Sequence, residues 1–262
     1  MNNGIVQMNL LQFSFIYLLL LVVLFVMKRA QINQTKLLFV ASIRMSVQLV
    51  IAGLVLTVIF EQPKAIFTVG YVLLMIGFSI ARIFKKCPNL SRKFQLSVGL
   101  SIGLSGTFVL VYFVVAVVGE SIFNPQYAIP LAGMIIGNAM TGVILAIKSF
   151  EEKIALQKDA ISSLLNLGVH PKEILRPYVN QSLEMAILPT LNTMVGMGIV
   201  SLPGMMTGQI LSGTLPMTAI MYQIAIMIAI TTSVCLSVFF SLFFGYKTLY
   251  NDEYQILFEE GS

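Results

Sequence analysis

Runs of apolar, nearly uncharged residues recur along the whole chain, and each is about the 20-residue length that a helix needs to cross the hydrocarbon of a bilayer. They fall at roughly 9–27, 37–60, 65–84, 94–118, 127–147, 183–202 and 217–245. Only 10% of the 262 residues are charged and 57% are hydrophobic, whereas a soluble domain carries about 25% charged residues. So few polar side chains cannot cover a soluble surface of this size. The expected fold is all-α: a polytopic transmembrane helical bundle of about seven spans, one domain over residues 1–262.

Loop charge gives the orientation. Lys28, Arg29 and Lys36 follow the first run; Arg82, Lys85, Lys86, Arg92 and Lys93 lie between the third and fourth; Lys148, Lys153, Lys158, Lys172 and Arg176 lie between the fifth and sixth; Lys247 follows the last. The alternate loops hold Lys64 alone, so fourteen cations fall on one side against one on the other. By the positive-inside rule the N-terminus is expected outside and the C-terminus inside. No Lys or Arg precedes the first run, which reads as an uncleaved span and not as a secretion signal. The net charge of +5 then needs no nucleic-acid partner. Two cysteines, Cys87 and Cys235, and a single histidine, His170, supply neither a disulfide framework nor a multi-histidine metal site.

Residues 149–182, SFEEKIALQKDAISSLLNLGVHPKEILRPYVNQS, are the one long polar stretch, and the charge count puts them in the cytoplasm. Ile154, Ile161, Leu164, Leu165 and Gly168 recur near helical spacing. Gly168 suits the left-handed residue that ends a helix, Pro171 the first position of the next, and Pro177 a stop or kink. The expected product is a helix–turn–helix hairpin lying under the membrane. ABC-transporter permeases present such a coupling helix to their ATPase, with Glu-Ala-Ala, three residues and then Gly. Here the aligned residues are Ser162-Ser163-Leu164, then Leu165-Asn166-Leu167, then Gly168. The segment 201–216, SLPGMMTGQILSGTLP, is too rich in Gly and Pro for a continuous helix, yet apolar enough for membrane depth. Irregular backbone survives there only when buried in protein or lining a cavity, so a re-entrant or broken element is expected.

The strings AIPLAGMIIGNAMTG (128–142), LLNLG (164–168) and ILPTLNTMVGMGIVSLPGMMTGQILSG (187–213) closely resemble the FetB-like (YbbM) family of ABC-transporter permeases, related to the plant aluminium-tolerance permeases. The resemblance runs through most of the chain and is densest at 128–213. It implies a permease paired with a separate cytoplasmic ATPase, and a role in iron export and oxidative-stress resistance. Plant relatives point instead to UDP-glucose. The chain has no Gly-x4-Gly-Lys-Ser/Thr phosphate loop, so ATP and Mg would sit on the partner subunit, and this chain would be no enzyme and carry no cofactor of its own. Two ATPases imply two permease copies, hence a homodimer in a plasma membrane, the bacterial inner membrane being the expected one. The residues expected to couple to the ATPase are Asp159, Ser162, Leu164, Leu165, Gly168, His170, Pro171 and Arg176.

Arg44 stands mid-span with Gln48 one turn later. A cation at the bilayer centre costs about 3 kcal/mol on insertion scales, so it either lines a path or bonds a neighbouring helix. Asn138, Thr141, Asn192, Thr193, Thr207 and Gln209 are the other polar groups in the matching strings, and they read either as path lining or as interhelical bonds. Of these, Arg44, Gln48, Asn138, Thr141, Asn192, Thr207 and Gln209 are the candidate translocation residues. Gly99–Gly103, Gly133–Gly137 and Gly204–Gly208 have the spacing that lets helices approach closely. Met194, Met197, Met205 and Met206 invite a Cu(I) reading, but flexible apolar packing explains them more simply. No metal ligands and no catalytic residues are assigned. An intramembrane prenyl-protease reading founders because Glu151 and Glu152 lie at the membrane edge with no intramembrane histidine. An ion-coupled secondary transporter would need mid-span carboxylates, and Glu61, Glu120 and Glu184 all lie near span ends.

Overall fold

A computed structural model describes residues 9–250, without the Leu10 side chain, and among them the chain is helical, with one isolated backbone bridge, Met197 to Ser201. The termini, on which the expected orientation bears directly, lie outside the described residues. Two compact units form, one from the residues up to Gln62 with Gly208–Thr214, the other from Pro63–Thr207 with the residues from Leu215 on.

In the first unit α1 (Leu10–Arg29) and α2 (Thr35–Glu61) form a pair. Their apolar side chains are largely exposed, as lipid-facing helices require, and the Tyr17 and Ser46 hydroxyls share a hydrogen bond of 2.6 Å.

The second unit holds the core. Its helices are α3 (Ala65–Lys86), α4 (Arg92–Val111, continued by a π-helical turn, Tyr112–Val118), α5 (Pro125–Leu156), α6 (Lys158–Asn166), α7 (Pro171–Gly196) and α9 (Pro216–Gly245). The short α8 (Gly204–Leu211) straddles the two units. Proline at the first positions of α5, α7 and α9 starts each helix where its missing N–H costs nothing. Thr68 at the start of α3 donates to the Phe123 carbonyl at 3.0 Å, just before α5. At the other end, the Gly245 backbone lies hard against the Phe94 ring, and Ser91 and Thr248 hydroxyls stand 3.4 Å apart. These contacts make α4 and α9 antiparallel and put 87–94, 148–171 and 245–250 at one end. α7 therefore carries the chain back to the opposite end, and its 26 residues are about 39 Å long.

α9 packs most extensively on α4 and α5. Ser233, Ser237, Ser241 and Gly245 recur every four residues on α9, and all four are buried. This small-residue column admits α4 closely, while Gly142 on α5 admits Val234, whose Cγ1 would stand 2.8 Å from a β-carbon at that glycine.

Several expectations need correction. The glycine pairs singled out in the sequence give close approach at one member only: a β-carbon at Gly133 would stand 3.2 Å from Met75 on α3 and one at Gly99 3.8 Å from Ile80, whereas one at Gly103, Gly137, Gly204 or Gly208 would touch nothing within 4 Å. The helix, Gly168 turn and second helix expected within 149–182 are there as α6 and the start of α7, but both flanks belong to longer helices: α5 runs on to Leu156, and α7 starts at Pro171 and continues to Gly196. Pro177 neither ends nor interrupts α7; like Pro189 it sits inside a helix that tertiary packing maintains. The helix expected over 183–202 stops at Gly196, and Gly198 with φ 81° turns the chain toward α8. Six described helices are long and apolar enough to cross a membrane, and α7 is not among them, its composition diluted by Asn180, Gln181, Glu184 and Asn192.

Candidate functional site

A cleft of about 210 Å³ opens between α5, α7 and α9 in the second unit. Asn138, Thr141, Gly142 and Leu145 line it from α5, Ala186, Pro189, Thr190 and Thr193 from α7, and Met227 and Ile230 from α9. Three of its polar groups are turned by their own helices. Thr141 donates to the Gly137 carbonyl at 3.0 Å, Thr193 to the Pro189 carbonyl at 2.8 Å, and Asn138 Nδ2 to the Met134 carbonyl at 2.8 Å. Pro189 has no N–H to return to the Met185 carbonyl, which loses its helical donor.

The structure thus brings Asn138 and Thr141 together and joins Thr193 to them. Asn192, next to Thr193, is exposed but does not line the cleft. Thr207 on α8 spends its hydroxyl on the Pro203 carbonyl at 3.1 Å, and Gln209 Oε1 is buried with no hydrogen-bond partner among the described residues. Arg44 and Gln48 belong to α2 in the other unit and have exposed side chains. The methionines pack: Met197 and Met205 lie on the core, and Met194 Sδ accepts from Thr231 at 3.2 Å, linking α7 to α9. Among the described residues no group of three or more His, Cys, Asp or Glu is placed to hold a metal.

The second feature is the connection between α5 and α7. Ile161 is fully buried and anchors α6. Gly168, φ 82°, ends it: the Gly168 N–H reaches the Leu165 carbonyl at 2.9 Å and the Val169 N–H the Leu164 carbonyl at 3.1 Å. That pair of bonds is the Schellman closure, which satisfies carbonyls at the helix end. His170 then caps α7, its Nδ1 accepting from the Lys172 N–H at 3.1 Å, and its ring lies edge-on to Tyr250 at 6.0 Å. Pro171 is buried at the first position, while Asp159 and Arg176 are exposed on α6 and α7. Ser162 bonds the Lys158 carbonyl at 2.9 Å. Leu164 is 38% exposed and Leu165 partly buried, but the most exposed apolar side chains of the connection are Leu167 at 79% and Leu156 at 75%. Neither stood out in the sequence, where leucines beside a helix end read as ordinary packing; the signal lay in their placement just outside the buried Ile161 face. Beneath this connection Cys87 is fully buried, and burial first, then Glu151, push its thiol up to about 11.

Comparison with known proteins decides the family. The family described as "Uncharacterised protein family (UPF0014)" matches residues 10–250. This chain belongs to UPF0014. Within UPF0014 it is 31% identical over 224 residues to the membrane protein YjkA of Bacillus subtilis, covering 82% of this chain and 85% of that one. It is 31% identical over 214 residues to the "Probable iron export permease protein FetB" of Escherichia coli, covering 82% of each. It is 32% identical over 180 residues to the protein ALUMINUM SENSITIVE 3 of Arabidopsis thaliana, covering 69% of this chain and 65% of that one. No solved structure matches the chain. As a UPF0014 member with six described helices long and apolar enough to cross a membrane, it is a membrane protein.

Proposed function

We propose that this chain is the membrane subunit of an ABC transporter that exports iron, with ATP and Mg bound and hydrolysed by a separate cytoplasmic ATPase. The single observation that carries this reading is the α5–α7 connection. It is a short helix anchored by Ile161, closed by Gly168 and capped by His170, which leaves Leu156, Leu164 and Leu167 exposed. A rigid element with an apolar outer face, flanked by basic residues, is what a soluble partner can grip. The two helices it joins are two of the three that line the cleft, so a push on the connection reaches the site where a solute would pass. The iron substrate follows the name of the Escherichia coli relative. With the N-terminus outside, the reading that the basic loops favour, the connection lies in the cytoplasm, α7 serves as the seventh span, and two copies pair with two ATPases in a bacterial cell membrane. A nucleotide sugar such as UDP-glucose, or another small solute, is the alternative cargo, and ion-coupled transport the alternative drive.

The test is co-purification with a candidate ABC ATPase, followed by reconstitution and hydrolysis assays on wild type, Gly168→Pro and a scrambled 159–176. The wild-type chain should capture the ATPase and both variants should uncouple it. An ATPase that never binds, or a connection that proves dispensable, would sink the reading.

A further inference from the structure

α7 carries a polar face level with the middle of its apolar neighbours. Its 26 residues run beside α5 and α9, and Glu184 stands midway, about 18–20 Å from either end at 1.5 Å per residue. The cleft fixes the level: Ala186, two residues on, lines it with Gly142 and Ile230, which lie midway along α5 and α9. The sequence alone put Glu184 near a span end, and the start of α7 at Pro171 moves it to the centre. Leu175, Val179, Ser182 and Ala186 are buried, and on the side of the helix away from them Asn180, Gln181 and Glu184 are exposed. Spacings of three and four residues set both amides beside the carboxylate. No other described side chain is bonded to any of the three. Leu188 and Leu191 continue this face toward the far end of α7 and are exposed as well.

A carboxylate at this depth is costly against hydrocarbon, so it faces protein or water and marks a path for ions. Glu184 offers a carboxylate, and Asn180 and Gln181 offer amide oxygens, a donor set that suits hard divalent cations. The amide N–H groups point away from the oxygen and stay free for water. One copy, though, balances only half the charge of a dication and supplies three side chains where such an ion takes six or more oxygens. Among the described residues of one chain no group of three or more His, Cys, Asp or Glu is placed to hold a metal. A second copy related by a two-fold axis doubles the set. We infer that two copies of this chain meet along the exposed face of α7, and that their paired Glu184 carboxylates, with Asn180 and Gln181, hold a hard divalent cation between them. Two carboxylates neutralise the ion, and Leu188 and Leu191 close the seam beyond it. The cleft on the other side of α7 has no charged residue in its lining, so the carboxylate face is where a cation in transit is met. Parting the two α7 helices splits the ligand set and releases the ion. This inference rests on the permease reading, which makes α7 a span and pairs two copies, and it names the class of cargo and the residues that meet it.

Stoichiometry and proximity test it together. The full chain, purified in a neutral detergent, is titrated with Mn2+ alone and followed by electron paramagnetic resonance, while light scattering gives its mass. One Mn2+ should bind per two chains. Glu184→Gln should weaken binding by about tenfold or more, because ligand charge sets the affinity of such sites, with helical circular dichroism unchanged. Glu152→Gln, which removes an exposed carboxylate from the far end of α5, should bind as wild type does. Gln181→Cys, in a chain with Cys87 and Cys235 replaced by serine, should cross-link between copies through a short bis-maleimide. The inference is overturned if wild type fails to bind Mn2+, if it binds one ion per chain, if folded Glu184→Gln binds unchanged, or if Gln181→Cys gives no cross-linked dimer. ATPase capture by the same preparation is scored separately. A chain that captures ATPase but fails these tests keeps the permease reading and loses only this one.

Discussion

Two residues beside the α5–α7 connection show how local chemistry fixes behaviour. Cys87 follows α3 directly, is fully buried, and has its thiol pushed from the ordinary 9.0 to about 11, by burial first and by the Glu151 charge second. The thiolate is the reactive form. At pH 8, well below both values, that rise cuts its population about a hundredfold relative to a thiol at the ordinary value. In a Cys235→Ser background Cys87 should therefore label with a maleimide at least that much more slowly than a reference cysteine placed by Leu167→Cys in a chain lacking both native thiols. The gap should narrow as pH rises toward 11. Equal rates at pH 8 would show that Cys87 is not shielded. Gly168 holds φ 82°, where a side chain costs about 1–2 kcal/mol. Gly168→Ala should leave the helices folded but speed hydrogen exchange at the Gly168 and Val169 amides by about tenfold, the equivalent of about 1.4 kcal/mol. Gly168→Asn, whose side chain tolerates the left-handed region, should do less.

Between helices, closeness of approach decides stability. Gly142 faces Val234 with no room for a β-carbon, so Gly142→Val should lower the detergent melting temperature by overpacking worth about 1–3 kcal/mol. Ser237 is buried, and its hydroxyl has no hydrogen-bond partner among the described residues. Ser237→Ala should then be neutral or mildly stabilising, whereas Ser237→Leu should destabilise by separating α9 from α4; a marked loss on the alanine change would reveal a bond to the Ser237 hydroxyl. This seam also marks the limit of what the sequence makes legible. Bilayer length and hydropathy delimit α1, α2, α3 and α9 closely, and Gly168 with Pro171 places the turn between α6 and α7 correctly, because stop and start chemistry acts within a few residues. Glycine spacing misleads at Gly103 and Gly137, since which face of a helix meets a neighbour is set by tertiary packing and not by the motif. Pro177 misleads for the same reason: packing on α5 and α9 holds α7 together through a residue that would break an isolated helix. The cleft is legible only in part. Asn138 and Thr141 share a helix and stand out among apolar neighbours, but their meeting with Thr193 depends on how α5 and α7 cross. The outer face of the connection is hidden because Leu167 is distinguished only by having nothing packed on it.

At the scale of the molecule, the second unit is a set of antiparallel passes in which α5 and α7 do two things at once. At one end they are joined by the α6 connection, and along their length they line the cleft with α9. Helices are stiff along their axes because each turn is braced by backbone hydrogen bonds, so in the proposed mechanism a tilt imposed at the joined end is carried to the cleft. The buried Ile161 fixes α6 to its neighbours, and Leu167, 79% exposed, is the side chain that the proposed ATPase would meet. Leu167→Asp replaces that apolar contact with a charge that a partner would have to desolvate, a change expected to cost about 2–3 kcal/mol of binding, or roughly 30- to 150-fold in affinity for the ATPase. Because the side chain touches little within this chain, the melting temperature should stay near that of wild type. Asp substituted instead at Ile161 should unfold α6 and lose both anchoring and ATPase binding. The contrast is what matters: loss of ATPase affinity in Leu167→Asp with the fold intact locates the partner on the exposed face of the connection, whereas undiminished affinity in that variant would move the docking surface elsewhere and break the proposed line of force from ATPase to cleft.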